Sequence, residues 1–123
     1  MIPVMQTKFG NDGNCLAACI ASLLEMDIDD VPVYLDDDTW YEQYEKWLTS
    51  KGVTVLYISE PVNGPWRISN GFNMILCGES PRGHHAVIGR SRSGSIRFVH
   101  DPHPSGDYII GDPTSIIILI KVK

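Results

Sequence analysis

The fold is decided first by the stretch CLAACIASLL at residues 15–24, which follows a turn-forming run at residues 11–14. Small and aliphatic side chains fill it almost completely, and this composition predicts a buried helix from about Cys15 to Glu25. Asn14 directly precedes the stretch and is the predicted N-cap, because its side-chain oxygen can accept from a free amide of the first turn. Cys15 would then lie where the positive end of the helix dipole favours a thiolate.

Beyond this helix the pattern changes from helical spacing to short strands. A second helix is predicted from about Thr39 to Ser50, with Asp38 as its cap and Gly52 beyond its end. Residues 91–94 form a predicted hairpin turn. The predicted strands lie at residues 53–58, 72–77, 85–90, 95–100 and 116–122. Helices first and hairpin-linked strands second predict an α+β fold, with N-terminal helices packed on a mostly antiparallel sheet.

Composition narrows the class of protein. The 123 residues predict one domain over residues 1–123, and 43% apolar and 20% charged residues are typical of a soluble globular protein. Ten basic and 15 acidic residues give a net charge of −5, which argues against nonspecific nucleic-acid binding. We expect no membrane span, because the aliphatic run at 116–120 is too short. The missing signal-peptide pattern and the odd count of three cysteines favour a reduced, cytoplasmic setting.

Two later segments supply a base and a carboxylate for Cys15. His85 begins the alternating run HAVI on a predicted strand, and Asp101 directly follows the next strand. If Val87 pairs with Val99 in a hairpin, the Asp101 carboxylate lies beside His85 and holds its imidazole in one tautomer. The order Cys, His, Asp on these elements predicts nucleophilic catalysis by a thiol.

Two further polar residues bear on this site. Gln6 is predicted to donate a side-chain N–H to the oxyanion, beside the backbone N–H of Cys15. His84 is the rival of His85, but adjacent strand residues point to opposite faces, so only one of them can serve. We favour His85 as the base, because buried-strand residues follow it directly.

A metal site is the main chemical alternative. Cys15 and Cys19 are four residues apart on one helix, and the four histidines offer further zinc ligands. We nevertheless expect no metal and no cofactor, because such a cysteine pair in an apolar helix usually has one buried member. Cys77 lies in a predicted strand and is expected in the core.

Aromatic residues are candidates for the walls of a binding cleft. Trp40 and Tyr44 lie on one face of the second helix, which predicts core packing, with substrate contact as the alternative. The loop at 59–71 contains Trp66, whose expected role is either recognition or anchoring of the loop.

The segments described above resemble papain-like cysteine peptidases. The resemblance lies in Gln6, in GNCLAACIASLL at 13–24, in HAVIG at 85–89 and in VHDP at 99–102. Within that superfamily the chain is most similar to double-glycine leader peptidase domains, and small phage and bacterial proteins carry similar motifs. Leader peptidases usually have Asp-Cys-Gly at the nucleophile, whereas here the residues on either side of the cysteine are Asn and Leu.

The resemblance implies a papain-like fold in which Cys15 is the nucleophile, His85 the base, Asp101 the residue that orients it and Gln6 the oxyanion donor. It predicts a cysteine peptidase or amidase that cleaves an amide or isopeptide bond in a peptide or protein substrate. Deamidation or acyl transfer would use the same residues. The alternative is a catalytically silent binding module on this fold, such as a phage inhibitor that blocks a host protein. The sequence leaves the oligomeric state open.

Overall fold

The computed structural model describes residues 1–10, 13–34, 38–59 and 69–122. Its regular elements are the helices α1 (Cys15–Leu24) and α2 (Trp40–Ser50), a 3-10 turn (Ile28–Asp30), and the strands β1 (Val53–Ser59), β2 (Asn73–Ser80), β3 (Gly83–Arg92), β4 (Ser95–His100) and β5 (Ser115–Lys121). Two helices therefore precede five strands in the described chain. All strand pairings are antiparallel, so the predicted α+β class is confirmed.

The five strands form one sheet in the order β1-β5-β2-β3-β4, which leaves β1 and β4 at its edges. The last strand, β5, lies between β1 and β2. It pairs with β1 over its whole length and with residues 75–77 of β2. Its isoleucine-rich sequence suits this position, because a central strand covered on both faces needs apolar side chains on both.

Apolar side chains cover both faces of the sheet. On one face, residues of α1 and α2 such as Ile20 and Leu48 pack against Ile75 and Ile88. The other face carries a second cluster formed by Met74, Leu76, Val87, Ile109, Ile116 and Ile118. Alternate residues of β2 and β3 thus belong to opposite clusters, as strand geometry requires. The helix α1 packs against β3 and, to a smaller extent, against β2.

The start of α1 differs from the expected cap. Asn14 occupies the N-cap position, but its side chain makes no capping hydrogen bond. Its Oδ1 instead accepts from the amides of Thr7 at 3.0 Å and Lys8 at 2.9 Å, and its Nδ2 donates to the Thr7 hydroxyl. Asn14 is therefore the N-cap residue, as predicted, but without the expected side-chain capping bond. The side chain fixes the N-terminal segment and leaves the first amides of α1 without a cap.

The turn of the β3–β4 hairpin is the one expected. Ser93 and Gly94 connect the two strands, and both have positive φ, at 52° and 81°. Two such residues in succession are typical of the tight turns whose twist matches that of the flanking strands. The predicted hairpin turn is confirmed, but it consists of residues 93–94, because residues 91–92 still belong to β3.

The register of the same hairpin differs from the expected one. Ile88 pairs with His100, but the next residue of β3 pairs with Phe98, so Val99 is an extra residue in a β-bulge. The predicted pairing of Val87 with Val99 is therefore wrong. The bulge changes the register by one residue, and the chain leaves the sheet directly after His100.

Several smaller expectations have different outcomes. The N-cap of α2 is Thr39 and not the predicted Asp38. Residues 11–12 of the predicted turn and residues 60–68 of the predicted loop, with Trp66, lie outside the described residues. In the part of the chain that is described, no helix combines the length and apolarity needed to cross a bilayer.

Candidate active site

Cys15 is the first residue of α1 and lies at a pocket of about 250 Å³. The pocket is bordered by the start of α1, the segment before α2, α2 itself and the first residues of β3. Its lining residues are Gly13, Asn14, Cys15, Leu16, Ala17, Val33, Tyr34, Trp40, Tyr44, Cys77, His84, His85 and Ala86. The structure thus brings Cys15 and His85, the predicted nucleophile and base, to one pocket.

Backbone N–H groups near the Cys15 thiol favour its anionic form. They belong to Ala86, the residue after His85, and to Leu16 and Cys15 itself at the start of α1. Burial nevertheless raises the pKa of Cys15 above its ordinary value, because the loss of solvation outweighs what these amides contribute. This direction runs against the resting thiolate that the helix start predicts, and the thiolate stays a prediction. Burial favours the neutral thiol at this site.

His85 and Asp101 form a buried pair. Nε2 of His85 lies 2.7 Å from Oδ1 of Asp101, and their side chains are 6% and 2% exposed. Asp101 also accepts from the amide of His103 at 2.9 Å and from that of Tyr108 at 2.8 Å. Burial opposes ionisation, but the hydrogen bonds from His85 and the two amides hold the pKa of Asp101 below its ordinary value. An ionised carboxylate only accepts, so His85 carries its proton on Nε2 and Nδ1 is its basic nitrogen.

Asp101 meets His85 because of where β4 ends. The two residues are 16 apart in the chain, and the β3–β4 hairpin brings them together. At Asp101 the backbone turns away from the sheet, and the carbonyl of the next residue, Pro102, accepts from the amide of Gln6 at 3.0 Å. The N-terminal segment therefore packs directly against the turn that positions the carboxylate.

Gln6 is buried, but it is missing from the described residues that line the pocket. Its Nε2 donates to the carbonyl of Lys8 at 2.8 Å, and its Oε1 has no partner among the described residues. One N–H of the side-chain amide is therefore engaged away from Cys15, and only the second hydrogen is left for an oxyanion. The role of Gln6 as oxyanion donor stays a prediction.

The other three histidines have different surroundings. The side chain of His84 is 65% exposed and has only a distant acidic neighbour, at 3.9 Å. Nε2 of His100 lies 2.7 Å from the carbonyl of Val4 and links the end of β4 to the N-terminal segment. His103 packs edge-on against the ring of His85, with centroids 6.1 Å apart. Of the four histidines, His85 is the one paired with a buried carboxylate.

Aromatic side chains form one wall of the pocket. The rings of Tyr34 and Tyr44 meet edge to face with centroids 4.7 Å apart, and Trp40 lies 6.4 Å from Tyr44. Tyr44 is buried and donates its hydroxyl to the carbonyl of Pro32 at 2.8 Å. Trp40 also borders a neighbouring pocket of about 360 Å³ that contains Ser115. On the aromatic face of α2, Tyr44 therefore packs in the core, whereas Trp40 borders both pockets.

The described chain offers no ligand set for zinc. Its three cysteines are free thiols, and Cys19 and Cys77 are buried. Burial raises the pKa of Cys77 to about 12 and that of Cys19 well above its ordinary value. Among residues 1–10, 13–34, 38–59 and 69–122, no three His, Cys, Asp or Glu side chains lie close enough to share a metal ion.

The fold and the site thus define an α+β chain with a thiol, an imidazole and a carboxylate gathered at one end of the sheet. Searches of protein-family models, of curated proteins and of solved structures each found no match to this chain.

Proposed function

We propose that this protein is a cysteine hydrolase with a papain-like fold that cleaves an amide or isopeptide bond in a peptide or protein substrate. The observation that carries the proposal is the buried pair of His85 and Asp101 at the pocket that holds Cys15. A buried carboxylate that fixes one imidazole nitrogen leaves the other to act as a base, as in hydrolases with a Ser or Cys nucleophile.

Catalysis would begin with a proton transfer coupled to attack. The Cys15 sulfur forms a bond to the substrate carbonyl carbon while its proton passes to Nδ1 of His85. The resulting imidazolium is stabilised by Asp101, and it then gives the proton to the leaving nitrogen as the C–N bond breaks. Water, deprotonated by His85, attacks the thioester, and the acid product and the free thiol are released.

The neutral resting thiol fits this order of events. Because the pKa of Cys15 is raised by burial, the sulfur becomes anionic only when His85 accepts its proton during attack. The amides of Cys15 and Leu16 at the start of α1 favour negative charge beside the sulfur. In this proposal they act as the main oxyanion donors, and the second N–H of Gln6 adds to them.

The pocket favours an apolar group next to the bond that is cleaved. Leu16, Val33 and Tyr34 line it together with Trp40, so a hydrophobic side chain would bury its surface there. The neighbouring pocket, which also borders Trp40 and His84, extends the cleft in a second direction. An extended peptide segment is therefore the proposed substrate, with an apolar residue held by the aromatic wall.

The proposal is tested with electrophilic peptide probes. Peptide vinyl sulfones and isopeptide-linked vinyl esters, each with an aromatic residue beside the warhead, are incubated with the full chain. We expect a mass shift on Cys15 with one of these probe classes and none in Cys15→Ser. Cys77→Ser is the matched control and should label as the wild type does. Failure of every probe class to modify Cys15 would exclude the hydrolase.

The raised pKa of Cys15 also favours a second candidate, a catalytically silent binding module or inhibitor on the same fold. A protein that only binds another protein has no need of a reactive thiol, and burial keeps this thiol protonated. This candidate predicts that a ligand protein binds Cys15→Ser and the wild type equally well. It also predicts that no peptide probe reacts with Cys15 faster than with a buried thiol.

A further inference from the structure

Positive charge is concentrated in one part of the chain, where it is carried by arginine and not by lysine. All five arginines lie within residues 61–100, where Glu79 is the one acidic residue, so this region has a net charge of +4. The rest of the chain holds all five lysines and the other 14 acidic residues, for a net charge of −9. Arginine differs from lysine in presenting a planar fork of donors that binds oxyanions through two hydrogen bonds at once.

Three of these arginines line one groove at the far end of the β3–β4 hairpin. The groove has a volume of about 620 Å³ and is bordered by Arg90, Arg92 and Arg97 together with Asn70 and Gly71. Arg90 and Arg97 are direct cross-strand partners, and Arg92 lies two residues from Arg90 on the same face. Directly opposite residues have Cβ atoms about 5 Å apart and diagonal ones about 7–8 Å. The three guanidinium groups therefore reach a common volume.

These arginines have no acidic partner among the described residues. The ion pairs of the described chain involve Arg82, which meets Asp107 at 3.0 Å, but not Arg90, Arg92 or Arg97. Nε of Arg90 donates to Oδ1 of Asn73 at 2.7 Å and orients the side chain. Its terminal amino groups have no hydrogen-bond partner within the described part of the chain. Like charges placed directly opposite each other weaken a sheet. A bound anion would offset the repulsion between Arg90 and Arg97 and so stabilise the hairpin.

We propose that this groove, defined by Arg90, Arg92 and Arg97, binds a phosphoryl group. A carboxylate has one negative charge and two oxygens, and a single guanidinium satisfies it. A phosphoryl group has up to two charges and three free oxygens, so it accepts paired hydrogen bonds from two or three guanidinium groups together. The group belongs either to a free oligophosphate or nucleotide, or to a phosphorylated peptide.

The test is a titration of the ¹⁵N-labelled full chain with sodium pyrophosphate, followed by NMR at constant ionic strength. We expect saturable shifts confined to the amides of residues 70–71 and 90–97. Arg97→Gln should weaken binding at least about tenfold, as expected for the loss of a charge-assisted pair of hydrogen bonds. Arg97→Lys should retain part of the affinity, because it keeps the charge but loses the fork. Arg82→Gln is the matched control and should bind as the wild type does.

Further titrations separate the sources and can overturn the proposal. ADP and a phosphoserine peptide are compared with pyrophosphate, and the tighter of the two identifies the source of the phosphoryl group. Citrate binding as tight as that of pyrophosphate would overturn the phosphoryl assignment. Equal weakening in Arg82→Gln and Arg97→Gln, or no saturable shifts with millimolar pyrophosphate, would overturn the site itself. Thermal melting of each variant verifies that it is folded, and the two substituted residues, Arg82 and Arg97, are exposed.

Discussion

The two ends of β3 handle charge in opposite ways. At its start, His85 lies against the buried Asp101, and both carboxylate oxygens of that residue are hydrogen-bonded within the protein. Near its other end, Arg90 faces Arg97 across the hairpin with no acidic partner among the described residues. At the start of β3 the protein compensates its own charge and holds the imidazole in one orientation. Near the other end it leaves positive charge without an acidic partner among the described residues, and there we propose that a ligand brings the opposite charge.

The largest effect is expected at the start of β3, where the two adjacent histidines are replaced by alanine one at a time and the labelling rate of Cys15 is compared. His85→Ala should slow the labelling of Cys15 by a peptide vinyl sulfone by at least about 10³-fold, because no base remains to take the thiol proton. His84→Ala, the matched control, should slow it by less than about threefold, since its side chain is mostly exposed. Mass spectrometry of the labelled chain over time gives both rates. Equal losses in the two variants would assign the effect to strand structure rather than to a base.

Asp101→Asn should weaken both chemistry and folding. The substitution removes the charge that stabilises an imidazolium and disturbs three hydrogen bonds, one buried and two partly buried. We therefore expect a loss of about 1–3 kcal/mol in the free energy of unfolding near neutral pH. The control Asp107→Asn, at an exposed ion pair, should cost less than about 1 kcal/mol. Urea denaturation measures both values.

The same pair predicts a dependence of stability on pH. Because the folded-state pKa of Asp101 is lowered, its contribution is complete above the ordinary value of 3.8 and is lost as pH falls through the folded-state pKa. The difference in stability between the wild type and Asp101→Asn should therefore be constant above about pH 5 and shrink below about pH 4. A difference that stayed constant down to the acid transition would mean that Asp101 is not ionised in the folded chain.

The rate of Cys15 alkylation tests the protonation state of the thiol that shares a pocket with His85 at the start of β3. Since burial raises its pKa above the ordinary 9.0, the rate with iodoacetamide should keep rising beyond pH 9, where that of a small free thiol levels off. The measurement is the rate of Cys15 modification between about pH 6 and pH 10. A fast reaction that reaches its plateau below pH 7 would instead show a thiolate already paired with the imidazole.

The smallest effect is expected at the far end of β3. Arg97→Gln removes one of two like charges that face each other, so the melting temperature should rise by about 1–5 °C at low salt. Arg97→Lys keeps the repulsion, so its melting temperature should equal that of the wild type. Differential scanning calorimetry in the absence of phosphate makes the comparison. A lower melting temperature for Arg97→Gln would show that the arginine stabilises the hairpin and is not held there at a cost.

Some features of the fold could be predicted because they depend on near neighbours in the chain. The apolar run at 15–24 forms a helix within one residue of the expected end, and the alternating runs form the expected strands. The turn at Ser93 and Gly94 follows from residues that tolerate positive φ. The register of β3 against β4 was not predictable in this way, because the bulge at Val99 depends on how two strands fit together.

Capping shows the same limit. Asn14 is a good cap by residue type, but the amides of Thr7 and Lys8 compete for its oxygen once the N-terminal segment is packed against it. The capping hydrogen bond is not made because those amides, seven and six residues earlier in the chain, cannot be identified as partners from the local pattern.

The sequence by itself determined that a cysteine opens a buried helix, that a histidine and an aspartate sit on successive strand ends, and that helices precede an antiparallel sheet. Only the tertiary structure decided that His85 bonds to Asp101, that burial raises the pKa of the Cys15 thiol and that three arginines share one groove. Helix and turn preferences act over a few residues, so they are visible in the chain. Solvation of a thiol and the partner of a carboxylate depend on burial and on distant residues, which exist only once the chain has packed.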